Sequence, residues 1–396
     1  MHPLAVASRI PLAEPDLTGN EARYLAECVA STFVSSVGPF VTRFESLVAG
    51  ASGAVGAVAV SSGTCGLHAA LTAAGVNHGD LVIIPALTFI ATANAVSQCG
   101  ALPWIFDVEP ASWNLDPRLL EETLTAETWI DADRRVIHRA SGRRVAAVMP
   151  VHTLGLPAAM DPIVASARKR ALPVIADAAA ALGARYRDRP VGALGADLSV
   201  FSFNGNKTVT CGGGGAIVGA DPEVLALVRH LTTTARVGAD YEHDRVGFNY
   251  RMTNLQAALG CAQMERLEAF VAAKRRIRAT YDLGFADLWE RVRPFPTLED
   301  RQGACWFSGF VLQTADVDAV VRLRGGLQAV GIDARPFWKP IHLQAPYREA
   351  PRTLQPVTEA LWWRVVTLPC ATALPEADQQ RVILAVRRLL TGETGG

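Results

Sequence analysis

Between residues 54 and 220 the sequence alternates short, continuously apolar runs with longer amphipathic segments, and this rhythm is its strongest constraint on fold. Short apolar runs bounded by Gly, Pro or polar residues suit strands buried on both faces. Strands of that kind belong to a mostly parallel sheet with helices on either side. Strands are expected at Val55–Ser61, Leu81–Pro85, Leu102–Asp107, Val145–Val151, Pro173–Asp177, Leu198–Phe203 and Ala216–Gly219, with helices that include Gly66–Ala74 and Pro162–Arg170. Glu121–Arg144 carries many charges without a clear period and reads in part as an exposed insertion. Beyond Asn254 the pattern changes. One long helical stretch is expected from Leu255 to about Asp287, then a strand at Trp306–Leu312 and helices near Val317–Val330 and Glu376–Leu390. This second pattern predicts a smaller α+β domain, joined by part of the first twenty residues.

A chain of 396 residues suits one large domain with a smaller one attached. Half of its residues are hydrophobic, enough for a packed interior. Acidic and basic residues balance at 38 each, so there is no electrostatic footprint for nucleic acid or an anionic membrane surface. The apolar stretches end well before the ~20 residues of a membrane span. The opening MHPLAVASRIPLAEP lacks the charged lead and long apolar core of a secretion signal. Seven scattered cysteines (Cys28, Cys65, Cys99, Cys211, Cys261, Cys305 and Cys370) fit reduced thiols in a cytoplasmic protein. The histidines form no HExxH or other close pair, so no metal site is expected.

Four lysines stand against thirty-four arginines, so positive charge that only needs to face water has been written as arginine. Lys207, in FSFNGNKTVTCGGGG, therefore asks for a chemical reason. Arginine stays protonated, whereas a lysine amine in a partly desolvated site can lose its proton and attack a carbonyl. Two other elements should converge with it, because open α/β sheets bind ligands beyond the carboxyl ends of their strands. Ser61-Ser62-Gly63-Thr64 lies between a strand and a helix, where backbone amides, hydroxyls and a glycine can form a phosphate cup. Asp177 closes the strand PVIAD, where a carboxylate can pair with a protonated ring nitrogen of pyridoxal phosphate. Each element alone has a plain reading as a helix cap or a surface lysine. Their combination in this order does not.

These residues and their neighbours resemble the DegT/StrS-type sugar aminotransferases. The motifs that carry the likeness run in order from IPLAEPDLTGNE through PALTFIATANA, PVHTLGLPAAMD, FSFNGNK and VGFNYRMTNLQAALG to ARPFWKPIHLQ. The resemblance implies an α/β protein of pyridoxal-phosphate fold type I, similar to aspartate aminotransferase. A large cofactor-binding domain would occupy residues 15–250 and a small C-terminal α+β domain residues 251–396, with residues 1–14 as an N-terminal arm. It implies that Lys207 is the Schiff-base lysine and proton shuttle, and that Asp177 pairs with the pyridine nitrogen. Phe89 would stack on the cofactor ring, and Gly63, Thr64 and Ser202 would hold the phosphate. Asn249 would reach the phosphate of a neighbouring subunit, so the active sites would be shared in a homodimer. Ser35, Ser36, His152, His243, Arg251, Arg335 and His342 are candidate substrate contacts. Ala180 departs from the Glu, Gln or Ser of many members, and the glycine cluster Gly212–Gly215 lacks the Glu that many carry.

The wording FSFNGNK with an all-glycine cluster resembles most the branch acting on UDP-linked 4-keto-6-deoxy-N-acetylhexosamines. The function this implies is amino transfer from L-glutamate to the C4 ketone of such a sugar, for surface-glycan or amino-sugar biosynthesis. A GDP- or dTDP-linked keto sugar, aminated at C3 or C4, is the alternative. Two further readings fare worse. Sugar dehydratases of this family replace the lysine with histidine, and Lys207 is retained. A nucleotide-binding regulator would use the glycines as a phosphate loop, but such loops follow a first strand and open a helix, whereas Gly212–Gly215 lead into AIVG.

Overall fold

The structure is a computed structural model that describes residues 9–392; residues 1–8 of the expected N-terminal arm lie outside the described residues. Seven strands form its central sheet: β1 (Gly56–Val60), β2 (Leu81–Pro85), β3 (Leu102–Phe106), β4 (Arg144–Val148), β5 (Ile175–Asp177), β6 (Leu198–Ser202) and β7 (Gly215–Gly219). The order across the sheet is β1-β7-β6-β5-β4-β2-β3, with β4 and β5 joined by parallel bridges at Val148/Val174 and Val151/Asp177. Only β7 runs against its neighbours.

Alternate residues of each strand enter two different apolar cores. Ala57, Ala59, Leu81, Ile83, Phe201 and Val218 face one, and Val58, Val60, Val82, Ile84, Val200 and Ile217 face the other. Burial on both faces explains why these strands read as continuous apolar runs without a two-residue alternation of polarity. Helices Pro39–Ser52 and Asn254–Met264 cover the first face through Phe44, Val48, Ala258 and Cys261. Helices Gly63–Ala73, Ile90–Gln98 and Pro222–Thr232 cover the second through Leu67, Leu71, Val96 and Val228. Several helix starts are written in the sequence. Asp116 and Asp221 cap helices that begin with proline, and Thr253 with Gln256 forms a capping box.

A second, antiparallel sheet is built from Val292–Pro294, Ser308–Leu312 and Val365–Leu368. Leu267–Gly284, Val317–Ala329 and Glu376–Thr391 supply Tyr281, Leu323, Leu327, Val382 and Val386 to its apolar core. Ile10 and Leu12 join the same core, and the Ile10 and Cys370 amides donate to the Gly331 and Leu12 carbonyls. Buried Asp107, just past β3, ties the halves together by accepting from the amides of Val357 and Thr358.

Two sequence expectations change. The stretch from Leu255 is two helices, because the chain turns at Glu265–Arg266, where both side chains are engaged elsewhere. Glu265 accepts from Tyr24 and Asn20, and Arg266 pairs with Asp16 at 2.7 Å. Apolar spacing continues across such a turn and does not register it. In the charged stretch, Pro117–Glu127 is a helix, and the hairpin Thr128–Ile130/Val136–His138 extends the central sheet beside Arg144 and Val145. Most residues of this stretch are exposed, as expected, while Thr123, Leu124, Thr128 and Val136–His138 are buried against the sheet.

Candidate active site

The carboxyl ends of β1, β2, β4, β5 and β6 open into a cavity of about 440 Å³, closed on its other side by Trp306, Phe307 and the segment Arg335–Trp338. β1 delivers Ser62, Gly63 and Thr64. Ser62 caps the helix Gly63–Ala73 by accepting from the Cys65 amide at 3.1 Å, which leaves the first amides of that helix facing the cavity end. Two glycines are required here by close approach. A Cβ on Gly63 would lie 2.9 Å from Ser202 Cβ, and one on Gly215 would lie 2.7 Å from the backbone of Ser62. The glycine cluster therefore lets β7 pass against the turn that presents the amides. Neither the Thr64 nor the Ser202 hydroxyl is bonded to another protein group among the described residues. Helix-start amides and two available hydroxyls fit a phosphate.

Asp177 ends β5, held between the Pro150 carbonyl, which accepts from its amide, and Val200 of β6, whose carbonyl accepts from Ala178. Its carboxylate accepts from Thr92 Oγ1 at 2.7 Å and from the Ala179 amide at 3.1 Å. Burial nevertheless raises its pKa above the usual carboxylate range. A buried carboxylate of this kind gains from a cationic partner, which a protonated ring nitrogen supplies. Lys207 lies in a loop pinched shut by two backbone bonds, Phe203 N–H to Gly214 O and Cys211 N–H to Phe203 O, both 2.9 Å. Enclosure by protein pushes the Lys207 pKa down to about 8, and the nearby Asp177 charge only partly opposes this. An amine so placed is available in its neutral, nucleophilic form near physiological pH.

Phe89 follows β2 and is 55 % exposed, with its ring 6.3 Å from that of Trp338. An aromatic left open at a cavity wall has a free face for a flat ring. His152 extends β4 and is fully enclosed. Its Nδ1 accepts from the Ala158 amide at 3.0 Å, which fixes the proton on Nε2, and Nε2–H has no partner among the described residues. This orphaned donor in the cavity wall, the empty hydroxyls and the Asp177 carboxylate together match the acceptors and the basic nitrogen of pyridoxal phosphate.

Of the residues singled out in the sequence, the cavity gathers Gly63, Thr64, Phe89, His152, Asp177, Ser202, Lys207 and Arg335. Ser62, Ala180, Gly213 and Gly214 also line it, whereas the remaining candidate contacts lie outside it. Arg251 is committed to Glu45 at 3.0 Å and to the Ala59 carbonyl, a buried link between β1 and the helix Pro39–Ser52, so as a substrate contact within this chain it is corrected to a structural pairing. His342 is buried against Glu359, and His243 bonds the Thr234 carbonyl on an exposed hairpin. Ser35 is exposed and Ser36 half-buried, both outside the cavity. Asn249 is exposed, bridges Thr233 and does not reach its own chain's cavity. Ala180 lines the cavity without a polar atom on its side chain. Sequence reasoning missed Trp306, Phe307, Phe337 and Trp338 as site residues. The last two lie within the motif ARPFWKPIHLQ, but nothing local marks Trp306.

A profile of the DegT/DnrJ/EryC1/StrS aminotransferase family matches residues 15–387. The chain belongs to this family. Among its relatives are several GDP-perosamine synthases. That of Caulobacter vibrioides is 40% identical over 390 residues, covering 96% of this chain and 98% of that protein. That of Escherichia coli O157:H7 is 36% identical, covering 94% and 96%. The crystal structure of DesI in the presence of its TDP-sugar product superposes with a TM-score of 0.85 at 29% identity, over 98% of this chain and 95% of that one. The protein is thus a pyridoxal-phosphate-dependent aminotransferase of fold type I that acts on nucleotide-linked keto sugars with an amino donor. Among the described residues no helix is long and apolar enough to cross a membrane, and no group of three or more metal-ligating side chains occurs.

His152 also sets a pH dependence. Burial holds its pKa down at about 4, below the ordinary 6.5, so in that interval the unfolded chain binds more protons and stability falls as pH falls. The wild type should lose about 1 kcal/mol more than His152→Gln between about pH 7.5 and pH 5.5, measured by urea unfolding of the cofactor-free proteins. Parallel losses in the two proteins would show that His152 is not buried in neutral form.

Proposed function

We propose that the protein transfers the amino group of L-glutamate to the C4 ketone of a GDP-linked 4-keto-6-deoxyhexose. The observation that carries the nucleotide assignment is the likeness to GDP-perosamine synthases along nearly the full length of both chains. Perosamine is a 4-amino-4,6-dideoxyhexose, so its nucleotide-linked form follows from amination of a 4-keto-6-deoxy sugar. This replaces the UDP-linked N-acetylhexosamine expected from FSFNGNK, the motif that ends at Lys207.

Bound pyridoxal phosphate supplies an electron sink and carries the amino group between the two substrates. The protein's own residues do the rest. Lys207 would hold the cofactor covalently at rest; once released, its neutral amine would take the proton from the α-carbon of glutamate and move it to C4′. In the second half of the cycle the same amine would move a proton from C4′ to the sugar carbon. Glutamate leaves as 2-oxoglutarate and the ketone becomes an amine, so the electron pair lost by one substrate is gained by the other. Asp177 would hold the ring nitrogen in its protonated form, which the sink needs. Gly63, Thr64 and Ser202 would hold the phosphate, and Phe89 would stack on the ring. Arg335 stands at the cavity wall, where its 62% exposed side chain, anchored by Asp333 at 3.0 Å, can meet an anionic substrate group.

The working unit in this proposal is a homodimer in which Asn249 reaches the partner's phosphate. Its exposed position, and the exposed apolar residues Val37, Tyr241 and Val246, support that arrangement. Mixing Lys207→Ala with Asn249→Ala protein, each inactive alone, should then restore up to about a quarter of wild-type activity, because half the dimers become hybrids with one intact site. No recovery after demonstrated subunit exchange would contradict shared sites.

Substrate choice is read by supplying 15N-glutamate with GDP-, UDP- and dTDP-linked 4-keto-6-deoxy sugars and following 15N in the sugar by NMR. The GDP sugar should be preferred in kcat/KM by about tenfold or more, the discrimination that one or two lost hydrogen bonds produce. Preferred turnover of the UDP N-acetyl sugar would overturn the nucleotide assignment and restore the expectation drawn from FSFNGNK.

A further inference from the structure

The surface that faces the Lys207 amine comes from the C-terminal half of the chain. Lys207 Nζ lies over the ring of Trp306, 3.5 Å from its centroid. Trp306 is 4% exposed and held independently of the lysine. Its indole Nε1–H donates to the carbonyl of Asn206, the residue before Lys207, at 2.7 Å. Its backbone amide donates to Leu154 O at 3.2 Å, and its carbonyl accepts from the buried amine of Lys274 at 3.1 Å. The ring also stacks on Phe307 with centroids 4.0 Å apart. One residue therefore grips the lysine loop by its backbone and offers the lysine amine an aromatic face.

We propose that Trp306 is a positioning residue that holds the Lys207 amine over its ring while that lysine is free of the cofactor and carries a proton. This rests on the reading of Lys207 as the catalytic lysine. In that reading the amine is set free in each half reaction, carries a proton, and must be on hand to recapture the cofactor. A free lysine amine on a four-carbon stem ranges widely. The negative face of an indole attracts the charged amine by a contact that strengthens where water is excluded, yet it is weak enough to release.

The other charged and titratable groups at the cavity do not duplicate this hold. Asp177 attracts the amine, but its carboxylate is bonded to Thr92 and the Ala179 amide. His152 is neutral, Arg335 is paired with Asp333, and Lys274 is directed to backbone carbonyls behind Trp306. Since the ring favours the charged amine, it offsets part of the depression that burial causes at Lys207.

The test uses cofactor-free protein, so it does not depend on turnover. Trace acetic anhydride is applied across a pH series and modification of Lys207 is read by mass spectrometry, with exposed Lys169 as internal reference. Trp306→Leu keeps the site apolar but removes the ring face, and should lower the midpoint of Lys207 modification by about one pH unit. Trp306→Phe keeps a ring and should stay closer to wild type. Greater access alone would raise the plateau without moving the midpoint. An unmoved midpoint in folded Trp306→Leu overturns the proposal, as does an equal shift in both variants. Should Trp306→Leu fail to fold, wild-type protein made with trifluorinated tryptophan, whose ring face is less negative, must show the same downward shift, and its absence overturns the proposal. The outcome is separate from the catalytic reading itself: a Lys207→Ala protein that still held its cofactor covalently would refute that reading and leave the titration standing.

Discussion

Desolvation of two ionisable groups in one cleft is the constraint on which the rest of the structure depends. An amine and a carboxyl removed from water are both driven toward their neutral forms, and here burial is the leading cause of the shift in each. At Lys207 this makes a nucleophile available near neutral pH. At Asp177 it leaves a carboxyl whose charged form gains strongly from a cation placed against it. A cofactor with an aldehyde for the amine and a basic ring nitrogen for the carboxylate answers both needs, so binding that group and relieving the desolvation are one event.

The sheet makes such a cleft possible. Its strands are covered on both faces, which leaves their carboxyl ends as the place where polar side chains can gather without breaking the core. Ser62 and Thr64 leave β1, Asp177 ends β5, and Ser202 ends β6. The C-terminal half completes the enclosure with aromatic rings, chiefly Trp306 and Trp338. Exclusion of water by those rings strengthens every charge interaction inside. Lys274, itself a buried amine, is spent on the carbonyls of Trp306 and Cys370, so it supports the aromatic wall and takes no part in the chemistry.

The polar half of this site was legible in the sequence because its logic is local. A hydroxyl-glycine turn after a strand, an aspartate closing a strand and a lysine kept among arginines each carry a reason within a few residues. The aromatic half was not. Trp306 reaches Lys207 only through tertiary folding, and a tryptophan beside an apolar strand otherwise reads as core. The pairing of Arg251 was hidden for the complementary reason: its partner Glu45 lies 206 residues earlier, and no spacing announces that pair. The two-helix break at Glu265–Arg266 was hidden likewise, since its cause is contact with Asn20, Tyr24 and Asp16. The nucleotide proposed for the substrate rests on likeness along the whole chain and not on the motifs around the cofactor.

The central claim is that Lys207 is the residue that holds pyridoxal phosphate. The chain's four lysines make this unusually simple to test, because the other three (Lys169, Lys274 and Lys339) lie in separable sequence contexts. Cofactor-loaded protein absorbing near ~410 nm, as expected of lysine-bound pyridoxal phosphate, would be reduced with borohydride, digested and mapped by mass spectrometry. The account predicts the phosphopyridoxyl group on Lys207 alone. Its recovery on any other lysine, or on none, would contradict it.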